Sequence, residues 1–206
     1  MVRIVLGVLT AFLLLGGRPA LAADAAPSDP RMVVQALGDP KAPVRLDEYY
    51  SLDCPHCADF TLNTLPKIKA DYIDKGKVYL VLHDFPLHEA SLRATMLARC
   101  APPDRFIAIV ETLMRVQTGW VLASREATEA ALKQQAKFAG MSDAQVNTCF
   151  ADKALETAII KERFDAEKNM NIDATPTVIF NQNPSNRIVA PGPYETYKAK
   201  IDSLLK

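Results

Sequence analysis

Hydrophobic and polar positions follow two different periods along this chain, and the switches between them mark its elements. Met32-Val33-Val34 reads as a short edge strand, followed by the turn-rich stretch Gly38-Asp39-Pro40-Lys41-Ala42-Pro43. Val44 to Tyr50 then reads as a strand running into Ser51-Leu52-Asp53-Cys54. From Pro55 the period becomes helical, with Cys57, Phe60, Leu65, Ile68 and Tyr72 near one face. Pro55 suits a first helical position, where its missing N–H costs nothing. Pro66 should kink this helix, and Gly76 ends it. The unbroken apolar run Val78-Tyr79-Leu80-Val81-Leu82 suits a strand buried on both faces.

Residues 87–170 carry no strand pattern. Leu92, Met96, Leu97 and Cys100 form one helical stripe, stopped by Pro102-Pro103, and Phe106, Ile109, Val110 and Leu113 form a second. A third helix runs from about Arg125 to Ala139, with Gly140 as its C-cap. Ser142 to Gln145 matches a capping box that opens a fourth helix, which contains Cys149. A fifth spans about Lys153 to Glu167. Strand character returns at Thr177-Val178-Ile179-Phe180. Asn183-Pro184-Ser185-Asn186 reads as a turn, Arg187-Ile188-Val189 as a second short strand, and Gly192-Pro193 as the start of a last helix bearing Tyr197, Ile201 and Leu204.

Composition changes this picture little. Of 206 residues, 49% are hydrophobic and 23% charged, as in an ordinary globular chain. The 24 basic and 24 acidic residues cancel, which argues against nucleic acid or an anionic membrane surface as the main partner. The amino end adds more. Arg3, the apolar run Ile4 to Leu15 and Ala20-Leu21-Ala22 together read as a secretory signal peptide over 1–22, cleaved after Ala22. The run is too short and wrongly flanked for a good membrane span, and an uncleaved anchor is the alternative. Cleavage would remove Arg3 and Arg18, leave a slightly acidic mature chain, and keep all 4 cysteines. In an exported protein these can form lasting disulfides.

Cys54-Pro55-His56-Cys57 lies where a strand gives way to a helix. Two thiols at i and i+3 of a first helical turn can close a small disulfide ring. Cys54 faces the unpaired N–H groups and the positive end of the helix dipole, both of which favour a thiolate. His56 adds a donor that can carry charge. The expected result is a depressed Cys54 pKa and a disulfide that substrate thiols reduce easily, with Cys57 as the inner resolving thiol. As a structural staple so local a pair would constrain little. As half of a zinc site it would lack two further ligands, since the other cysteines are isolated and His83 and His88 are loosely placed; no metal site is expected.

With these residues in hand, the sequence resembles the DsbA-like branch of the thioredoxin superfamily. Cys-Pro-His-Cys after an aromatic strand, the long helical block, and Ala174-Thr175-Pro176-Thr177 before a late strand carry the resemblance. Gly38-Asp39-Pro40, Phe85-Pro86-Leu87, and Gln117 with Trp120 are secondary matches. It implies an α/β thioredoxin fold with an inserted all-helical domain. The expected organisation is a flexible tail over 23–38, a core formed by 39–86 and 171–206, and an insertion over 87–170. It also implies Cys54 as nucleophile and Cys57 as its partner, flanked by Pro55 and His56. Pro176 becomes a cis-proline which, with Thr175, pairs with an extended substrate segment. Glu48, six residues before Cys54, becomes a buried acid relaying protons for the inner thiol; an exposed strand carboxylate is the alternative, because Asp47 adjoins it. His83 and His88 read as surface or loop residues. Tyr49, Tyr50 and Trp120 read as core, with a groove role for Trp120 as the minor alternative.

Cys100 and Cys149, both in helices of the insertion, are left to bridge in an oxidising compartment, although three connectivities are formally open. Such a structural disulfide would close a loop of about 50 residues and contribute about 4 kcal/mol in the chain-entropy picture. Two buried free thiols or a regulatory pair are the alternatives.

The function expected is a periplasmic protein thiol:disulfide oxidoreductase, a monomer with no cofactor beyond its own dithiol. It would oxidise unfolded or secreted proteins and, as the resemblance implies, be reoxidised by a quinone-linked membrane thiol oxidase. Thr175 departs from the best-known oxidases of the family, which carry Val there, and so leaves isomerase or reductase activity open. A Cu(I)-binding copper-tolerance protein and a purely structural thioredoxin-like module are readings from other classes.

Overall fold

The computed structural model describes residues 29–189 and 192–206. The expected signal peptide lies outside the described residues, as does much of the expected tail. Five strands form one mixed sheet: β1 (Gln35–Leu37), β2 (Val44–Tyr50), β3 (Val78–Asp84), β4 (Thr177–Phe180) and β5 (Asn183–Val189), in the order β1-β3-β2-β4-β5. β2 and β3 run parallel, and the other neighbours are antiparallel. The helical segment α1 (55–73) makes the crossover between β2 and β3, as a parallel pair requires. Between β3 and β4 the described chain carries helices only: α2 (Glu89–Cys100), α3 (Phe106–Arg115), α4 (Arg125–Phe138), α5 (Asp143–Ala151) and α6 (Lys153–Met170). The terminal helix α7 (Tyr194–Leu204) closes the chain. This is a thioredoxin fold with an all-helical insertion.

The pleat of β2 sets the two layers, because successive side chains point to opposite faces. Val44, Leu46 and Tyr50 join the larger core, together with Phe60 and Ile68 of α1, Val110 of α3 and Tyr197 of α7. Tyr49 points the other way, into a smaller cluster with Phe85, Ile179 and Ala166 of α6. A third cluster, Met96, Cys149, Leu155 and Ile159, joins α2, α5 and α6 within the insertion. Cys100 and Cys149 form a disulfide beside it, with an S–S distance of 2.05 Å. Arg31 crosses this disulfide, reaching Cys100 Sγ at 3.6 Å and Asp152 at 2.7 Å, and so ties the chain before β1 to the insertion.

Several boundaries differ from the sequence reading, each for a physical reason. Pro66 does not simply kink α1. π-helical turns at Phe60–Thr64 and Lys69–Ile73 flank the α-helical stretch Leu65–Ile68, and such turns absorb a backbone bond that proline cannot make. The edge strand is Gln35–Leu37 rather than Met32 to Val34. The turn expected at 183–186 falls at Asn181 and Gln182, both at positive φ (51° and 56°), as in a two-residue hairpin, and β5 runs from Asn183. Pro184 is tolerated there because β5 is an edge strand. Helix α6 continues to Met170, where Asn171 at φ 54° ends it in the left-handed region.

Candidate redox site

Cys54 is the N-cap of α1, in extended conformation, and Pro55 occupies the first helical position. A turn over Ser51–Asp53, closed by the Cys54 N–H on the Ser51 carbonyl at 3.1 Å, leads from β2 and sets the sulfur at the open end of the helix. Both cysteines are free thiols, Cys54 barely accessible and Cys57 fully buried. The Cys57 thiol hydrogen-bonds the Cys54 sulfur, and this contact is the largest factor lowering the Cys54 pKa. Burial opposes it; Thr175 and the backbone N–H groups of Cys57 and His56 reinforce it. The outcome is a pKa of about 5. Cys57 is pushed far the other way, first by burial and then by the adjacent Cys54. Its sulfur also accepts a hydrogen bond from the Ser51 N–H at 3.4 Å. One thiol is thus held ready to ionise and its neighbour is kept neutral.

The loop before β4 supplies the opposite wall. The Thr175–Pro176 peptide bond is cis, and the Thr175 carbonyl accepts from Cys54 Sγ at 3.4 Å. Thr175 Oγ1 is buried without a hydrogen-bond partner, so its hydroxyl is free to donate to the sulfur once Cys54 ionises. Glu48 lies on the α1 side of the sheet, 1% exposed, with both carboxylate oxygens unpartnered. Burial raises its pKa to about 8, although the His83 charge pulls it down. The exposed-carboxylate alternative is therefore wrong for Glu48, and the charge of Cys57 responds to this acid across the interior.

His83 departs from the reading as a surface or loop residue, whereas His88 fits it. His83 is inside β3, stacked on Tyr49 with ring centroids 4.5 Å apart, and sits 2.9 Å from Asp47 and 3.6 Å from Glu162 of α6. Burial works against its charge, but the two carboxylates outweigh this and raise its pKa to about 9. His88, exposed at the N-cap of α2, is 2.7 Å from the carboxylate of Asp53, the residue before Cys54. Trp120 is fully buried and donates its indole N–H to the Leu113 carbonyl at 2.8 Å, which removes the groove role and leaves it as core.

Sequence reasoning missed the polar scaffold beneath Cys54. Ser51 Oγ donates to Asp53 and accepts from the Leu87 N–H at 3.0 Å, while Ser91 Oγ lies 2.8 Å from it and accepts from the Leu52 N–H at 3.0 Å. A serine inside the apolar stripe of α2 was the available signal. Gln117, noticed only as a family match, donates from Nε2 to the carbonyls of Leu52 and Cys54. Among the described residues no group of three or more His, Cys, Asp or Glu side chains is placed to hold a metal ion.

Comparison with known proteins agrees with this geometry. A family model described as thioredoxin matches residues 31–203. The chain is similar to disulfide bond formation protein D of Bacillus subtilis, 29% identical over 178 residues that cover 82% of this chain and 76% of that protein. It is 30% identical over 147 residues to a Rickettsia typhi protein named as a protein-disulfide oxidoreductase. That match covers 70% of this chain and 53% of its relative, so the chain spans about half the length of the rickettsial proteins it resembles. Among solved structures, Wolbachia pipientis alpha-DsbA1 superposes with a TM-score of 0.75 at 27% identity, over 84% of this chain and 90% of that one. Oxidised BdbD from B. subtilis gives 0.69 at 26%, over 82% and 91%. A Cys-Pro-His-Cys helix start facing a cis-proline loop, on a sheet and insertion shared with these proteins, makes the chain a member of the DsbA-like branch of the thioredoxin superfamily.

Proposed function

We propose that the chain is an exported protein thiol:disulfide oxidoreductase that introduces disulfides into unfolded substrate proteins in the periplasm. The observation that carries this is the asymmetry of the dithiol: Cys54 ionises near pH 5, whereas Cys57 is held protonated. A thiolate this stable is a good leaving group, and a disulfide containing it is a good oxidant.

In the oxidised protein a substrate thiolate attacks Cys54 Sγ. A substrate–Cys54 bond forms, the Cys54–Cys57 bond breaks, and Cys57 leaves with the electron pair. Glu48, neutral at pH 7, supports this step as the proton source for Cys57. A second substrate thiolate then attacks the substrate sulfur of the mixed disulfide, and Cys54 departs as its stabilised thiolate. Two substrate thiols are oxidised and one protein disulfide is reduced; a quinone-linked membrane thiol oxidase restores it. Thr175 and Pro176 would hold the substrate backbone beside Cys54. The protein acts as a monomer and needs no bound cofactor.

A second reading, as an isomerase or reductase, rests on Thr175 standing where the best-known oxidases of the family carry Val. Thiol trapping in living cells separates the two. An oxidase keeps Cys54 and Cys57 mostly as the disulfide at steady state, and a mostly reduced pair sinks the oxidase reading. Cys57→Ser should accumulate mixed disulfides, whose protein partners identify the substrates.

A further inference from the structure

Gln117 opens a short turn, Gln117–Gly119, between α3 and α4 of the insertion. The base of this turn is fixed by buried Trp120 and by backbone N–H groups of Trp120 and Val121, which donate to the Gln117 carbonyl at 3.2 and 3.0 Å. From this anchored position the side chain reaches across to the loop before α1. Its Nε2 donates to the Leu52 carbonyl at 2.7 Å and to the Cys54 carbonyl at 3.0 Å, so both amide hydrogens are used. Because a carbonyl can only accept, its two partners also fix which end of the Gln117 amide is nitrogen.

These two carbonyls belong to Cys54, whose sulfur must carry a negative charge, and to the residue two before it. The Cys54 carbonyl begins α1 by accepting the Ala58 N–H at 3.1 Å, which leaves its second lone pair facing the insertion. An amide hydrogen on each carbonyl offsets the negative end of its dipole. The same pair of bonds holds Cys54 at φ −84°, ψ 120°, the extended N-cap geometry that aims its sulfur at the first-turn N–H groups. We infer that Gln117 is a positioning residue for the reactive thiol: through its hold on the Leu52 and Cys54 carbonyls, the helical insertion stabilises the Cys54 thiolate and so sets how readily the Cys54–Cys57 disulfide accepts electrons. The inference rests on Cys54 being the reactive thiol and holds for either direction of exchange.

Other groups around the sulfur are distinct from this contribution. His56 and Cys57 lie on its own helix, Asp53 with His88 lies on the preceding loop and α2, and Thr175 faces it from the cis-proline loop. Gln117 carries no charge. Its removal should therefore move the Cys54 midpoint without adding a titration step.

The test is an ultraviolet titration of the Cys54 thiolate, with the equilibrium against glutathione, in the parent chain and in Gln117→Leu. Losing the two bonds should raise the Cys54 midpoint and shift the glutathione equilibrium toward the retained protein disulfide, by about threefold to tenfold. The reduced form should lose more thermal stability than the oxidised form. Gln117→Asn keeps the amide one methylene short and serves if the leucine variant fails to fold; it should move the midpoint in the same direction. An unmoved midpoint, with equal loss of stability in both redox forms, would show Gln117 to be only a staple and overturn the inference. Neither readout depends on the direction of exchange in cells, so a failed trapping result and a failed titration remain separate outcomes.

Discussion

Asp47 and Glu48 are adjacent in β2 yet live in opposite electrostatic worlds. Asp47, facing α6, gains His83 and Arg45 as partners, and these outweigh its burial and hold its pKa low. Glu48, facing α1, gains none, and burial alone dominates. A carboxyl whose folded pKa is about 8, against an ordinary 4.5, favours the fold while neutral. Its contribution is therefore lost as pH climbs through 8. Glu48→Leu should make the chain more stable than the parent at pH 8, by about 1–3 kcal/mol in urea unfolding, while slowing the release of Cys57. A less stable leucine variant would contradict the burial argument. Cys54 has the opposite sign: its thiol falls from 9 to about 5, so the fold of the reduced protein gains stability as pH rises from 5 toward 9. The oxidised protein has no such thiol. Melting both forms across that range should show the reduced form gaining on the oxidised form with rising pH; a constant gap would refute the depressed pKa.

At the scale of elements, the hairpin between β4 and β5 shows where letters mislead. Asn-Pro-Ser-Asn has turn composition, but the chain turns two residues earlier, because Asn181 and Gln182 accept positive φ and the edge position accepts Pro184. Gln182 has no side-chain reason to favour the left-handed region. Gln182→Gly should raise stability by about 1 kcal/mol, read as a higher melting temperature with unchanged redox equilibrium. A lower melting temperature would mean that the Gln182 side chain packs better than its backbone suffers. The helices were far more legible than this turn. The stripes at Leu92 to Cys100 and Phe106 to Leu113 and the Ser142–Gln145 capping box lie where periodicity puts them, since each depends on neighbours within one or two turns.

Across the whole molecule, buried charges connect parts that no local pattern joins. Arg99 of α2 meets Asp84 of β3 at 2.6 Å, Asp84 accepts from the Tyr50 hydroxyl at 2.7 Å, and Arg99 donates to the Val33 carbonyl at 2.8 Å. Arg99→Met would leave Asp84 buried without its cation and should cost about 3–5 kcal/mol. Denaturant unfolding measures this, and a loss below 1 kcal/mol would show that the network is relieved by water. The same distinction explains what could be read of the site. Cys54, Pro55, His56 and Cys57 announce themselves within four letters, and the cis-proline loop within four more. The Ser51–Ser91 scaffold and the reach of Gln117 need the insertion folded against the core, and beyond the serine in α2 sequence spacing does not reveal them.

Cys54 and Thr175 touch across 121 residues of chain. A growing polypeptide emerges from its amino end, so the nucleophile is synthesised long before the wall that faces it. Until residue 175 follows, the Cys54 sulfur lacks the Thr175 hydroxyl; until Gln117 follows, its loop is unheld. The Cys57 and His56 contributions arrive with α1 itself, so what comes late is the wall that faces the sulfur and the hold on its loop.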